Sequence, residues 1–140
     1  MPKGICVPVE SSETMPVVRS DDVVRVRQAV RTKAVAAGFS LVDQTKIITA
    51  ASEIARNTVD YGGGGTLQIE TLREGTRRGV RLTFTDQGPG IEDLDRAMTD
   101  GYTTGNGLGL GMSGAKRLCN EFGVESTPGH GTIVTLARWR

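Results

Sequence analysis

From Ser40 to about Val59 the chain reads as one long helix, and the glycine run from Gly62 to Gly65 stops it. At about 100° per residue, Ile47, Ile48, Ala51, Ile54, Ala55 and Val59 fall on one side of this helix. Glu53, Arg56, Asn57 and Asp60 form a narrow polar stripe opposite. A helix with one apolar side needs a second layer to cover it. The residues that follow supply that layer. Residues 66–72 and 79–85 alternate with period two, placing Leu67, Ile69 and Thr71, then Val80, Leu82 and Phe84, on one face, as half-buried antiparallel strands do. Residues 73–78 read as their hairpin link.

The remaining elements fit around this pair. Residues 5–10 and 15–19 read as two short strands, the first an edge strand because it contains Pro8. Ser20 or Asp21 offers the N-cap of a first helix, along which Val23, Val24, Val26, Val30, Ala34, Val35 and Ala37 recur at helical spacing until Gly38. Ser40 with Asp43 resembles a capping box for the second helix. Beyond residue 90, residues 91–98 suit a short helix and 99–105 a small, polar, lid-like stretch. Residues 110–122 return to helical spacing, and 124–126 and 132–137 close the chain as two strands. The simplest assembly is an α+β two-layer sandwich in one domain, 1–140, with a mixed, mostly antiparallel sheet and its helices on one face. Trp139, between Arg138 and Arg140, reads as an edge-strand aromatic flanked by solvated charges.

Composition removes several classes of function. With 17 basic and 16 acidic residues scattered along 140, there is no electrostatic footprint for nucleic acid or an anionic membrane. Cys6 and Cys119 have no metal-ligand spacing and no disulfide framework. No signal-peptide pattern or membrane-length apolar run is present, so a reduced, cytoplasmic setting is expected. The 19 glycines mostly follow residue 60 in short clusters, as loops built around a ligand require.

Glu53 and Asn57, at i and i+4, lie one above the other on the helix. An Asn oxygen there can hold a hard cation such as Mg²⁺, which takes few protein ligands beside phosphate oxygens. The carboxylate one turn away can accept a proton during phosphoryl transfer. Asp86 at a strand end, with Gly88 and Gly90, can accept from an exocyclic amino group while the glycines let a flat ring approach. Gly105, Gly107, Gly109 and Gly111 precede a helix as a phosphate cradle would, without the Walker ending.

In order, ExxRNxxD (53–60), DxGPG (86–90), GxGLGLG (105–111) and GxGT (129–132) resemble the GHKL superfamily of ATPases and kinases, over nearly the whole chain. Residues 42–57, 86–91, 100–104 and 114–122 are similar to the RsbT type of anti-sigma-regulatory serine/threonine kinase. The resemblance implies the Bergerat ATP-binding fold, with ATP and Mg²⁺ as cofactors. It implies Glu53 as general base, Asn57 as Mg²⁺ ligand, Asp86 as the acceptor for the adenine amino group, and Thr132 beside it. Gly88, Gly90 and Ile91 would line the base. Thr104, Gly105, Gly107, Leu108, Gly109, Leu110 and Gly111 would flank the lid and triphosphate, with Arg56 and Asp60 in support. The only histidine, His130, lies in a loop with no helix or acidic neighbour suited to phosphorelay, so autophosphorylation on histidine is not expected. The implied acceptor is a serine or threonine of a STAS-domain protein in a stressosome-like complex, and the released kinase would activate a PP2C-type phosphatase. Direct capture of a sigma factor and a non-catalytic binding module are the competing readings.

Overall fold

The structure, a computed structural model, describes residues 9–88, 112–127 and 129–140. Elements run in the order β1 (Val9–Val17), α1 (Ser20–Ala36), α2 (Leu41–Asp60), β2 (Gly65–Glu74), β3 (Arg77–Asp86), α3 (Met112–Arg117), β4 (Glu121–Thr127) and β5 (Gly131–Trp139). The strands form one sheet of order β1-β2-β3-β5-β4, and every pairing between them is antiparallel. The apolar side of the α1–α2 layer packs on one face of this sheet. Val26, Val30 and Ala34 from α1 and Ile47, Ile48, Ala51, Ile54 and Ala55 from α2 join Leu67, Ile69, Val80, Leu82, Phe84, Val134 and Leu136 in a single core. This is the expected two-layer sandwich.

Local chemistry sets the element ends. Helix α1 has Arg19 at its N-cap, one residue before Ser20 and two before Asp21, the caps expected from the sequence. The capping group is the Asp22 carboxylate, whose Oδ2 accepts from the backbone N–H of Val18 at 2.9 Å and of Arg19 at 3.1 Å. Gly38, at φ +81°, ends α1 in the left-handed conformation, and Phe39 N–H donates to Ala34 O across it. Ser40 Oγ accepts from Asp43 N–H at 3.1 Å and starts α2 as read from the sequence.

Three expectations are corrected. In place of two short N-terminal strands, Val9 to Val17 form one, paired with β2 through Pro16, which an edge strand tolerates. The hairpin link shrinks to Gly75 and Thr76, because Gly75 takes φ +62° and lets both strands extend. The helix expected to reach residue 122 stops at Arg117. Asn120 is drawn to β5 instead, its N–H donating to Ala137 O at 2.9 Å and its Oδ1 accepting from Trp139 N–H at 2.7 Å. That bond starts β4 at Glu121 and places Phe122 opposite Leu136.

Trp139 and Arg138 are also placed differently from expectation. Strand β5 lies inside the sheet, and at Trp139, beyond the last residue paired with β4, Asn120 takes the side away from β3, so Trp139 is buried. Its ring covers Gly79, Arg77 sits 4.9 Å above its centroid, and its indole N–H donates to Glu121. Arg138 is not a solvated charge: it donates through Nε and Nη2 to Asp43 Oδ1 and through Nη1 to Leu118 O.

Candidate active site

Helix α2, of about 30 Å by its rise, carries its polar stripe to the end of the sheet where β3 finishes. Glu53 and Asn57 are half-buried on this stripe, Arg56 and Asp60 exposed. Arg56 Nη1 lies 3.5 Å from Glu53 Oε1, an ion pair one turn along the helix that orients the carboxylate. The Asn57 backbone oxygen closes the helix by accepting from Tyr61 and Gly62 N–H. Its side-chain amide is different. Nδ2 is buried, and it is the one such side-chain atom without a hydrogen-bond partner among the described residues. A buried amide left unmatched costs free energy unless something else meets it. The orphan atom is an N–H donor, so it fits an acceptor atom of a ligand rather than a cation.

Asp86 ends β3 and meets this helix end through glycine. A Cβ on Gly62 would fall 2.5 Å from Asp86 Cγ and 2.6 Å from Oδ2, so only glycine lets the carboxylate lie against the segment leaving α2. Gly88 continues the approach. Its N–H donates to Asp86 Oδ1 at 2.9 Å, and a Cβ there would run into the Gly62 backbone. From the other side, Gly131, at φ +93°, lies against the Asp86 backbone carbonyl so closely that a side chain there would clash with it. Antiparallel pairing of β3 with β5 sets Thr132 directly opposite Asp86. Thr132 is buried, with its Oγ1 3.0 Å from Ser126 Oγ. A cleft of about 170 Å³ beside Asp86 is lined by Thr85, Gln87, Glu125, Ser126, His130, Thr132 and Ile133, and by no residue of α2.

The structure therefore brings Glu53, Arg56, Asn57, Asp60, Asp86, Gly88 and Thr132 to one end of the molecule. Gly90, Ile91, Thr104, Gly105, Gly107, Leu108, Gly109, Leu110 and Gly111 lie outside the described residues, as do the expected lid and the helix at 91–98. Two contributors were not read from the sequence. In the sequence Gly62 reads only as a helix stop and Ser126 only as part of a strand. The signal for Gly62 is its place directly after the polar stripe, at the head of a glycine run longer than a C-cap needs. No group of three His, Cys, Asp or Glu side chains suited to a metal is found among the described residues.

A sheet with helices on one face, a polar stripe on the second helix and a carboxylate against glycine at the strand end define an ATPase-type nucleotide fold. Residues 42–140 match the family described as histidine kinase-, DNA gyrase B-, and HSP90-like ATPase, and the chain belongs to it. Within that family its sequence falls with the serine/threonine kinases of anti-sigma regulation. It is 43% identical over 118 residues to the serine/threonine-protein kinase RsbT of Bacillus subtilis, covering 84% of this chain and 89% of that one. It is 32% identical over 99 residues to the anti-sigma F factor of Thermoanaerobacter sp., covering 66% of this chain and 68% of that one. The fold resembles the crystal structure of the RsbU and RsbW domains of a Mycobacterium tuberculosis protein, with a TM-score of 0.64 and 18% identity. The match covers 93% of this chain and 33% of that one.

Proposed function

We propose that this chain transfers the γ-phosphoryl group of ATP to a serine or threonine of a STAS-domain protein in a partner-switching module. The observation that carries the reading is the meeting of Asp86 with Gly62. That contact supports reading Asp86, beside the C-terminal end of the helix that carries Glu53 and Asn57, as the base acceptor. In this reading Asp86 accepts from the adenine amino group, and Gly88 and Thr132 border the base. Asn57 would offer its side-chain oxygen to a Mg²⁺ ion, which when bound would neutralise phosphate charge, and its unpartnered Nδ2 would donate to an acceptor of the ligand. Glu53, steadied by Arg56, accepts the hydroxyl proton of the incoming serine or threonine as its oxygen bonds to the γ-phosphorus and the bond to the ADP oxygen breaks. By their place in the sequence, Gly90 and Ile91 are assigned to the base. By their place in the sequence, Thr104, Gly105, Gly107, Leu108, Gly109, Leu110 and Gly111 are assigned to the phosphates.

Transfer adds up to about two negative charges to the acceptor at neutral pH. That charge weakens the complex and frees the kinase, which then engages a PP2C-type phosphatase. The name of the B. subtilis relative supports the kinase reading, and those of the anti-sigma F factors support regulation by partner exchange. The same anti-sigma relatives favour one rival, direct capture of a sigma factor.

Incubation with γ-labelled Mg-ATP and a purified STAS-domain protein tests the proposal, with Glu53→Ala as control. Label on serine or threonine of the STAS protein, absent with the variant, is the expected result. Capture of a sigma factor in a pull-down, with no label on any STAS protein, would replace it with the anti-sigma reading.

A further inference from the structure

Strand pairing sets three polar side chains in one row across the end of the sheet. Asp86 on β3 pairs with Thr132 on β5, and Thr132 pairs with Ser126 on β4. Directly paired residues share a face of a sheet, with Cβ atoms about 4.5–5.5 Å apart. The Ser126 hydroxyl makes two contacts at its end of the row. It donates to Gly131 O at 3.2 Å and lies 3.0 Å from Thr132 Oγ1.

The first contact decides the direction of the second. A carbonyl oxygen has no proton to give, and a serine hydroxyl has one. Ser126 gives its proton to Gly131 O, so between the two hydroxyls Thr132 is the donor and Ser126 the acceptor. Gly131 keeps its place because its φ of +93° and its approach to the Asp86 carbonyl exclude a side chain there. With its one proton committed, Thr132 Oγ1 turns only lone pairs to anything that meets it. The Asp86 carboxylate is an acceptor too, with Gly88 N–H already on its Oδ1. The row therefore offers a ligand two acceptors side by side. One exocyclic amino group suits them, since acceptors of its two N–H bonds, each at about 2.9 Å, lie about 5 Å apart. That is the spacing of directly paired side chains. A carbonyl oxygen in the same place would face two acceptors with no proton to share.

We propose that Ser126 is a positioning residue that holds the Thr132 hydroxyl as an acceptor, so that the site takes a 6-amino purine and rejects a 6-oxo purine. The proposal rests on the nucleotide reading given above, in which Asp86 and Thr132 border the base. Ser126 acts through Thr132, by fixing where one proton points.

Calorimetric titration of the full chain with Mg-ATP and with Mg-inosine triphosphate, the 6-oxo analogue, tests this in Ser126→Val and Ser126→Thr. Valine and threonine are close in shape and both suit a strand, so the two variants differ by the hydroxyl. In Ser126→Val the Thr132 proton is released to meet an oxo group, and the ratio of ATP to inosine triphosphate affinity should fall roughly 10-fold. Ser126→Thr should keep the wild-type ratio. In a Thr132→Val background, Ser126→Val should leave the ratio unchanged, because the hydroxyl it acts through is gone. The N1–H of inosine is present in every titration and cancels from the comparison between proteins. An unchanged ratio in Ser126→Val that still binds ATP would overturn the role of Ser126 and leave the nucleotide reading standing. A ratio that fell equally in both variants would overturn it as well, since packing alone would then be at work. Failure of the well-folded wild type to bind either nucleotide would overturn both.

Discussion

Gly62 and Asp86 show how a residue with no side chain can set the position of one that has chemistry. The carboxylate lies where a Gly62 Cβ would have to be. Gly62→Ala should therefore displace Asp86 and lower ATP affinity by roughly 10-fold or more while leaving the sheet folded, since about 1.4 kcal/mol suffices for that change. Isothermal titration beside a circular dichroism melt separates the two effects. Glu53 and Asn57 predict a different split. Asn57→Ala should weaken Mg-ATP binding and abolish transfer. Glu53→Ala should leave binding largely intact and slow transfer by about 10²–10⁴-fold, the usual contribution of a general base. Transfer by Glu53→Ala at the wild-type rate would remove the base assignment. Both residues were legible in the sequence because a helix repeats at a fixed angle, so their sharing of one stripe follows from spacing alone. Gly62 was not, because its role depends on where β3 ends in space.

At the scale of elements, the Arg138 guanidinium ties three of them together. It reaches from β5 to Asp43 in the first turn of α2 and to the Leu118 carbonyl just after α3. The pair is largely buried, with side-chain exposures of 14% and 25%. Arg138→Ala should therefore cost about 1–3 kcal/mol, as a hydrogen-bonded ionic contact does, read as a lower midpoint in urea. The bonds from Arg138 hold the Asp43 carboxyl below its ordinary value of 3.8. The folded pKa is the lower one, so the contribution is complete above 3.8 and fades as pH falls through the folded value. Asp22 adds the same sign, since the N–H groups of Val18 and Arg19 lower it too. Asp43→Asn should be less stable than wild type near neutral pH, with the difference shrinking at pH values below about 3.8. A gap that widened in acid would contradict the assignment. Helices α1 and α2 and the β2–β3 hairpin were readable because each has one wet and one dry side. The end of α3 was not, because Asn120 gives up helical bonding for partners on β5 far along the chain.

For the whole molecule, the layer arrangement followed from periodicity, while the strand order β1-β2-β3-β5-β4 did not. Nothing local to Trp139 says that the start of β4 will bring the Asn120 and Glu121 side chains onto it and turn an apparent edge residue into a buried one. Oxidation chemistry follows from the same packing. Burial pushes the Cys119 thiol up to about 11, so alkylating reagents should react with it slowly at neutral pH in the folded chain and quickly after denaturation. Mass spectrometry of time-resolved labelling checks this, with Cys119 scored separately from Cys6.

The fold's two layers converge on the Asp86 end, and the account stands or falls on whether that end recognises adenine. Calorimetric titration of the purified chain with Mg-ATP and with Mg-GTP, wild type against Asp86→Asn, puts the question directly. The account predicts saturable binding of ATP, much weaker binding of GTP, and loss of ATP affinity in the variant. ATP binding unchanged by Asp86→Asn, or no nucleotide binding by a well-folded sample, would contradict it.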